Sequence, residues 1–175
     1  MSHDESSRAS ARLVSNAAGW SQRCRRCRRT TISSPSGGAV PRFTYLCPIR
    51  WSDMDANNHV NNAVYPRYLE EARMNMFEEL VPSDPTQRLS KNFFLSEQWM
   101  KFSKPLVYSK EPVLIEAWVT SLKGVSFELA YEIKDGGGLY VAATSKMAGF
   151  DSVAGRVRRF DDAERAVLGG FLDES

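Results

Sequence analysis

Residues 50–73 read RWSDMDANNHVNNAVYPRYLEEAR, a polar run that turns abruptly into a helical one. Asp53, Asp55, His59 and four asparagines (Asn57, Asn58, Asn61 and Asn62) crowd the entrance. A helix start uses one capping side chain, occasionally two, so most of this polarity is surplus to folding and available for chemistry. Behind it, Tyr65, Leu69, Ala72, Met76 and Leu80 recur with helical period, which predicts a helix to about Leu80 with one apolar stripe. Pro66 lacks an N–H and disfavours helical geometry at Tyr65, so regular helix is expected to begin near there. VPSDPTQ, residues 81–87, ends it.

Outward from this stretch the period changes. FTYLCPIRW, residues 43–51, reads as a strand edged by Pro48. Downstream, Val125, Phe127, Leu129, Tyr131 and Ile133 alternate with Ser126, Glu128, Ala130, Glu132 and Lys134, the pattern of an antiparallel strand with one wet face. KDGGG is a hairpin turn and LYVAATSKMAGF the returning strand, while NFFLSEQWMKFS and PVLIEAWVTSL supply two more. Asp161 is placed to cap a short closing helix. One long helix and about five strands make an α+β domain whose sheet buries the helix stripe.

Composition narrows the classes of partner. Residues 1–41 carry seven Arg against Asp4 and Glu5, whereas residues 42–175 carry sixteen basic and nineteen acidic residues. The folded part is thus mildly acidic, which argues against nucleic acid. No stretch reaches the ~18 consecutive apolar residues of a membrane span, and a soluble, cytoplasmic protein is expected. Residues 1–41, rich in Ser, Arg, Ala and Gly, read as a disordered basic arm ahead of a domain at 42–175. Cys24 and Cys27 form a lone CxxC there, too few ligands for a zinc site, and with Cys47 they make an odd set that suits a reducing compartment.

The motif at 50–73 resembles the Asp-x-Asp, His-Val-Asn-Asn, Tyr-x-x-Tyr-x-Glu signature of hotdog-fold thioesterases of the 4-hydroxybenzoyl-CoA thioesterase type. KFSKPLVYSKEPVLIEAWV and LKGVSFELAYEI resemble the same family's second-strand and Gly-x-Ser regions, in the family's order. One departure is Asn58 where the family has Gly; Asn is the non-Gly residue that best tolerates positive φ.

The resemblance implies a sheet of about five strands wrapped around a central helix, and hydrolysis of an acyl-CoA to a free acid and CoA. Coenzyme A would be part of the substrate, with no metal or redox cofactor. Asp55 would act as base or nucleophile, and the backbone N–H of Asn61 or Asn62 would hold the carbonyl oxygen at the helix N-terminus. His59 would support them. Tyr65 would wall the acyl pocket, Lys104 would sit at the nucleotide rim, and Ser126 would contact the pantetheine arm or the catalytic loop. Glu70 and Glu71, mid-helix beside Arg73, are reserve bases, otherwise solvated or ion-paired. Met76, Phe77, Phe93, Phe94 and Trp99 could line an acyl tunnel, but most are expected in the core.

Family members build their sites between protomers, so a homodimer or homotetramer is expected. The competing readings are a non-catalytic acyl-CoA-binding subunit and an enoyl-CoA hydratase. The hydratase signature separates Asp and His by five positions, whereas Asp55 and His59 are four apart.

Overall fold

The computed structural model describes residues 42–173 apart from Ser83. The expected basic arm and its CxxC lie outside the described residues. Strand β1 (Phe43–Cys47) leads through a 3₁₀ turn (Trp51–Asp53) to α1 (Tyr65–Met76). A second 3₁₀ turn (Glu78–Leu80) and the short α2 (Pro85–Arg88) follow. The chain continues as β2 (Asn92–Phe102), β3 (Val113–Leu122), β4 (Ser126–Asp135), β5 (Gly138–Asp151), the two-residue β6 (Arg156–Val157) and α3 (Asp162–Gly169).

The strands form one antiparallel sheet in the order β1-β3-β4-β5-β2, with β6 on β5. α1 packs on β1 and β3 with the anticipated stripe: Tyr65, Leu69, Ala72, Met76 and Leu80 are all buried. Regular α-helix stops at Met76 and the last turn tightens to 3₁₀, a common way to use the final carbonyls. Asp161 caps α3 in a reciprocal box with Glu164. Glu164, 3% exposed, also takes a two-pronged ion pair from Arg158, which ties α3 to the segment after β6.

Three expectations need correction. Val125 precedes β4 and is exposed, because the strand starts only at Ser126. Phe94 and Trp99 are exposed on β2, 56% and 58%. Phe94 faces out by alternation with the inward Phe93, and a register shift between Leu95 and Glu97 then resets the inward set and turns Trp99 out. Arg73 lies in the core, 6% exposed, and Glu71 pairs with Arg50 instead. The aromatic core is built by Phe77, Phe93, Phe127 and Phe160, whose ring centroids lie 5.5–6.1 Å apart.

The outer face of β3 and β4 carries an ion network in which Arg42 and Lys134 both reach Glu116 and Glu132. Partial burial pushes the Glu116 pKa up, but the two cations outweigh it and hold the carboxyl below its ordinary value of 4.5. A depressed folded-state pKa stabilises the fold above the unfolded value and is lost as pH falls through the folded one. The melting temperature of Glu116→Gln should therefore fall below wild type at pH 7, and the gap should close on acidification below about pH 4. Parallel thermal melts across that range measure it.

Candidate active site

The entrance to α1 is built from the inside out by Asp53. Its buried carboxylate accepts the Arg50 N–H at 2.9 Å and the Tyr68 hydroxyl at 2.6 Å, joining the 3₁₀ turn to α1. Burial and the hydrogen bond to Asp53 both push the Tyr68 phenol up, so it stays a donor. Asp53 bonds local backbone, as its place two residues before Asp55 suggested.

Beyond it the chain folds into a tight hairpin. Met54 bridges Val60, the Asp55 N–H donates to the His59 carbonyl at 2.9 Å, and the Asn58 N–H donates to the Asp55 carbonyl at 3.0 Å. Asn58 sits at φ 61°, the left-handed geometry expected where the family has Gly. Asn58→Gly should leave stability nearly unchanged, whereas Asn58→Val should cost about 1–2 kcal/mol. Chemical denaturation of both variants would measure the difference. The Val60 N–H donates to the Leu106 carbonyl at 2.8 Å, fastening the hairpin to the loop between β2 and β3.

Asp55 is half-buried at the hairpin shoulder, and one carboxylate oxygen accepts the Asn57 N–H at 2.8 Å. That is an Asx turn. Its other oxygen has no hydrogen-bond partner among the described residues. Of the two asparagines proposed as oxyanion donors, Asn61 is spent. Its N–H donates to the Asp53 carbonyl at 2.9 Å, its side chain accepts the Ala63 N–H at 2.9 Å, and its carbonyl accepts the Val64 N–H. The Asn62 N–H has no partner among the described residues. It sits beside a helix start that no side chain caps, where the dipole favours negative charge. His59 is half-buried, and its ring likewise has no hydrogen-bond partner among the described residues.

The remaining candidates divide. Tyr65 is 3% exposed and packs its ring on Phe102 at 5.1 Å and on Tyr68 at 6.1 Å, a core position at the edge of the helix. Lys104 donates to the Gly137 carbonyl and lies over the Tyr140 ring. It clasps the β4–β5 hairpin rather than standing free for a phosphate. Glu70 is exposed, and Glu71 is held by Arg50 at 3.3 Å and by the Tyr45 hydroxyl.

Ser126 opens β4 and pairs with Ala148, at the end of the sheet away from the Asp55 hairpin, which borders the last residues of β2 and the first of β3. One protomer does not bring Ser126 and Asp55 together. Sequence reading passed over Trp51 and Tyr108, an edge-on pair at 5.6 Å beside the hairpin, 71% and 40% exposed. Their spacing of 57 positions carries no sequence signal.

Residues 49–168, well over half of the chain and the whole of this site, match the thioesterase-like superfamily. The chain belongs to the thioesterase-like superfamily. No curated protein matches it. Among solved structures, a predicted thioesterase from Bacillus stearothermophilus is 20% identical with a TM-score of 0.69, covering 77% of this chain and 98% of that one. The PA2801 protein of Pseudomonas aeruginosa is 29% identical, TM-score 0.63, over 72% and 97%. A thioesterase from Thermus thermophilus, solved with coenzyme A and Zn, is 20% identical, TM-score 0.62, over 74% and 98%. This superfamily member therefore has the hotdog fold, its antiparallel sheet packed on α1.

Proposed function

We propose that the protein is an acyl-CoA thioesterase of the 4-hydroxybenzoyl-CoA thioesterase type, with Asp55 and the Asn62 N–H as its working pair. The observation that carries this is their placement. A carboxylate with one free oxygen stands on a hairpin whose two arms converge beside an unpaired N–H at an uncapped helix start. The thioester carbonyl oxygen would sit on the Asn62 N–H, where the helix dipole stabilises the charge that develops as the carbonyl carbon is attacked. Asp55 would either take the proton from an attacking water or attack the carbon itself and be released by water. Both routes break the carbon–sulfur bond and yield a carboxylic acid and CoA-SH. Trp51 and Tyr108 offer a surface for the CoA arm beside the hairpin.

The site is proposed to be completed by a second copy. β1 is short and ends at Cys47, just before Pro48, whereas β2 offers eleven residues that pair, among the described residues, only with β5. It borders a groove of about 340 Å³ lined by Glu97, Gln98, Trp99, Thr144 and Lys146. An open edge of that length with exposed aromatics calls for a partner strand. Antiparallel pairing of two β2 strands would carry Ser126 of one copy toward the Asp55 end of the other. The test is free-thiol release by the purified protein from short, long, aromatic and branched acyl-CoAs. Release that follows enzyme concentration supports the reading, and a panel left intact assigns the fold to binding without turnover.

A further inference from the structure

Tyr65, Leu69, Arg73 and the C-terminal Phe77 recur every four residues and form one ridge of α1 over the sheet. Tyr65 meets Phe102 near one end of β2 and Phe77 meets Phe93 near the other. Arg73 lies between them, 6% exposed. Its guanidinium finds only the Tyr131 hydroxyl at 3.4 Å and the Ser145 hydroxyl at 3.5 Å, long and neutral contacts. No carboxylate among the described residues pairs with it. Its helical neighbours offer none, since Glu70 is exposed and Glu71 is held by Arg50. A guanidinium is five donors with no acceptor, and a buried charge of this kind is ordinarily matched by an acid.

A second orphan stands beside it. Gln98 lies opposite Ser145 in the β2–β5 ladder, and its amide nitrogen is buried with no partner. Arg73, Gln98, Tyr131 and Ser145 thus bring donors together with one thing missing, an anionic acceptor.

Apolar side chains flank this cluster. Met74 on α1 is 55% exposed, Phe102 on β2 is 47% exposed, and the inward Leu95 and Met100 are only partly covered. Tyr65, beside the helix start where the thioester would be held, and Arg73 share this ridge of α1. Tyr65 and Arg73 are separated by about 12 Å along the helix axis. We infer that Arg73, backed by Gln98, Tyr131 and Ser145, receives a carboxylate at the far end of the acyl group, so that the preferred substrates are ω-carboxyacyl thioesters. This rests on the thioesterase reading for its reaction and on Arg73 alone for its selectivity.

The experiment pairs thioesters of matched length on the full chain: succinyl-CoA with butyryl-CoA, glutaryl-CoA with pentanoyl-CoA, and adipyl-CoA with hexanoyl-CoA. Wild type should favour the carboxylated member of at least one pair by about tenfold or more in kcat/KM. Arg73→Met should reverse that preference, and Arg73→Lys should keep part of it, since Lys preserves charge without the planar fork. A binding arm is independent of turnover. Hexanoate should raise the melting temperature of wild type but not of Arg73→Met, and neutral hexanamide should raise neither. Arg73→Met itself should melt no lower than wild type, because an apolar side chain replaces an unpaired buried charge. An intact thioester panel with the hexanoate shift retained would sink the reaction and leave the carboxylate site standing. Turnover without carboxylate preference, together with no Arg73-dependent shift, overturns the site. So does an Arg73→Met protein that loses its dimer, which would make Arg73 a subunit contact.

Discussion

Asp55→Asn should lower thiol release by roughly 10²–10⁴-fold, the usual worth of a positioned general base, while the fold and oligomeric state stay as they are. The substitution is close to isosteric. The Asn57 N–H that now reaches the Asp55 carboxylate at 2.8 Å would reach an amide oxygen instead, and the bonds closing the hairpin come from the Asp55 backbone, which the change does not touch. Stability should therefore move by no more than about 0.5–1 kcal/mol. What is lost is the ability to accept a proton or form an acyl intermediate, since an amide does neither at neutral pH. Initial rates on the best acyl-CoA, read beside far-ultraviolet circular dichroism and elution volume, separate the two effects. Undiminished turnover by a folded variant would return Asp55 to the role of a turn residue and move attention to His59. Glu71 would be a poor substitute, because its carboxylate is committed to Arg50 and Tyr45.

The fold was legible because its signals are local and repeated. The α1 stripe, the faultless alternation from Phe127 to Ile133 and the glycine-rich turn before β5 each state a period or a break within a dozen residues. Asn58 at positive φ was legible for the same reason, a single residue whose backbone tolerance fits one geometry. The site was legible only as a region. Whether the Asn61 or the Asn62 N–H is free depends on which one the Asp53 carbonyl takes, a matter of hairpin register that adjacent identical side chains cannot encode. Arg73 misled because an Arg following two Glu on a helix reads as a surface pair, and only the crossing of α1 over the sheet turns it inward. Trp99 and Phe94 misled in the opposite sense. The irregularity after Leu95 shifts the inward set of β2 and turns Trp99 out with no turn residue to mark it, whereas Phe94, ahead of it, faces out by alternation with the inward Phe93. Long-range placement is what a single sequence leaves out, and three of these cases turn on it.

The second large effect is expected at Asp53, which stands behind the proposed working pair rather than in it. Asp53→Ala would strand the Tyr68 hydroxyl and the Arg50 N–H, both of which now bond a carboxylate that is 3% exposed. Hydrogen bonds to a charged group contribute about 1.5–3 kcal/mol each, and stranded buried donors add their desolvation, so a loss of roughly 3–5 kcal/mol is expected. Tyr68→Phe removes one donor and leaves the backbone bond, so it should cost about 1–2 kcal/mol. The double variant should fall short of the sum by about 1–2 kcal/mol, because the two changes delete the same short bond. Urea unfolding of the four proteins gives the cycle directly, and strict additivity would mean that the Asp53–Tyr68 contact contributes nothing of its own. Activity should follow the same bond. The Asp53 carbonyl accepts the Asn61 N–H at 2.9 Å and so decides that the Asn62 N–H is the one left over. A 3₁₀ turn no longer anchored to α1 would loosen that choice. Tyr68→Phe, assayed well below its melting temperature, should then lose turnover more than substrate affinity, since the looseness falls on the donor that meets the charge developing in the transition state.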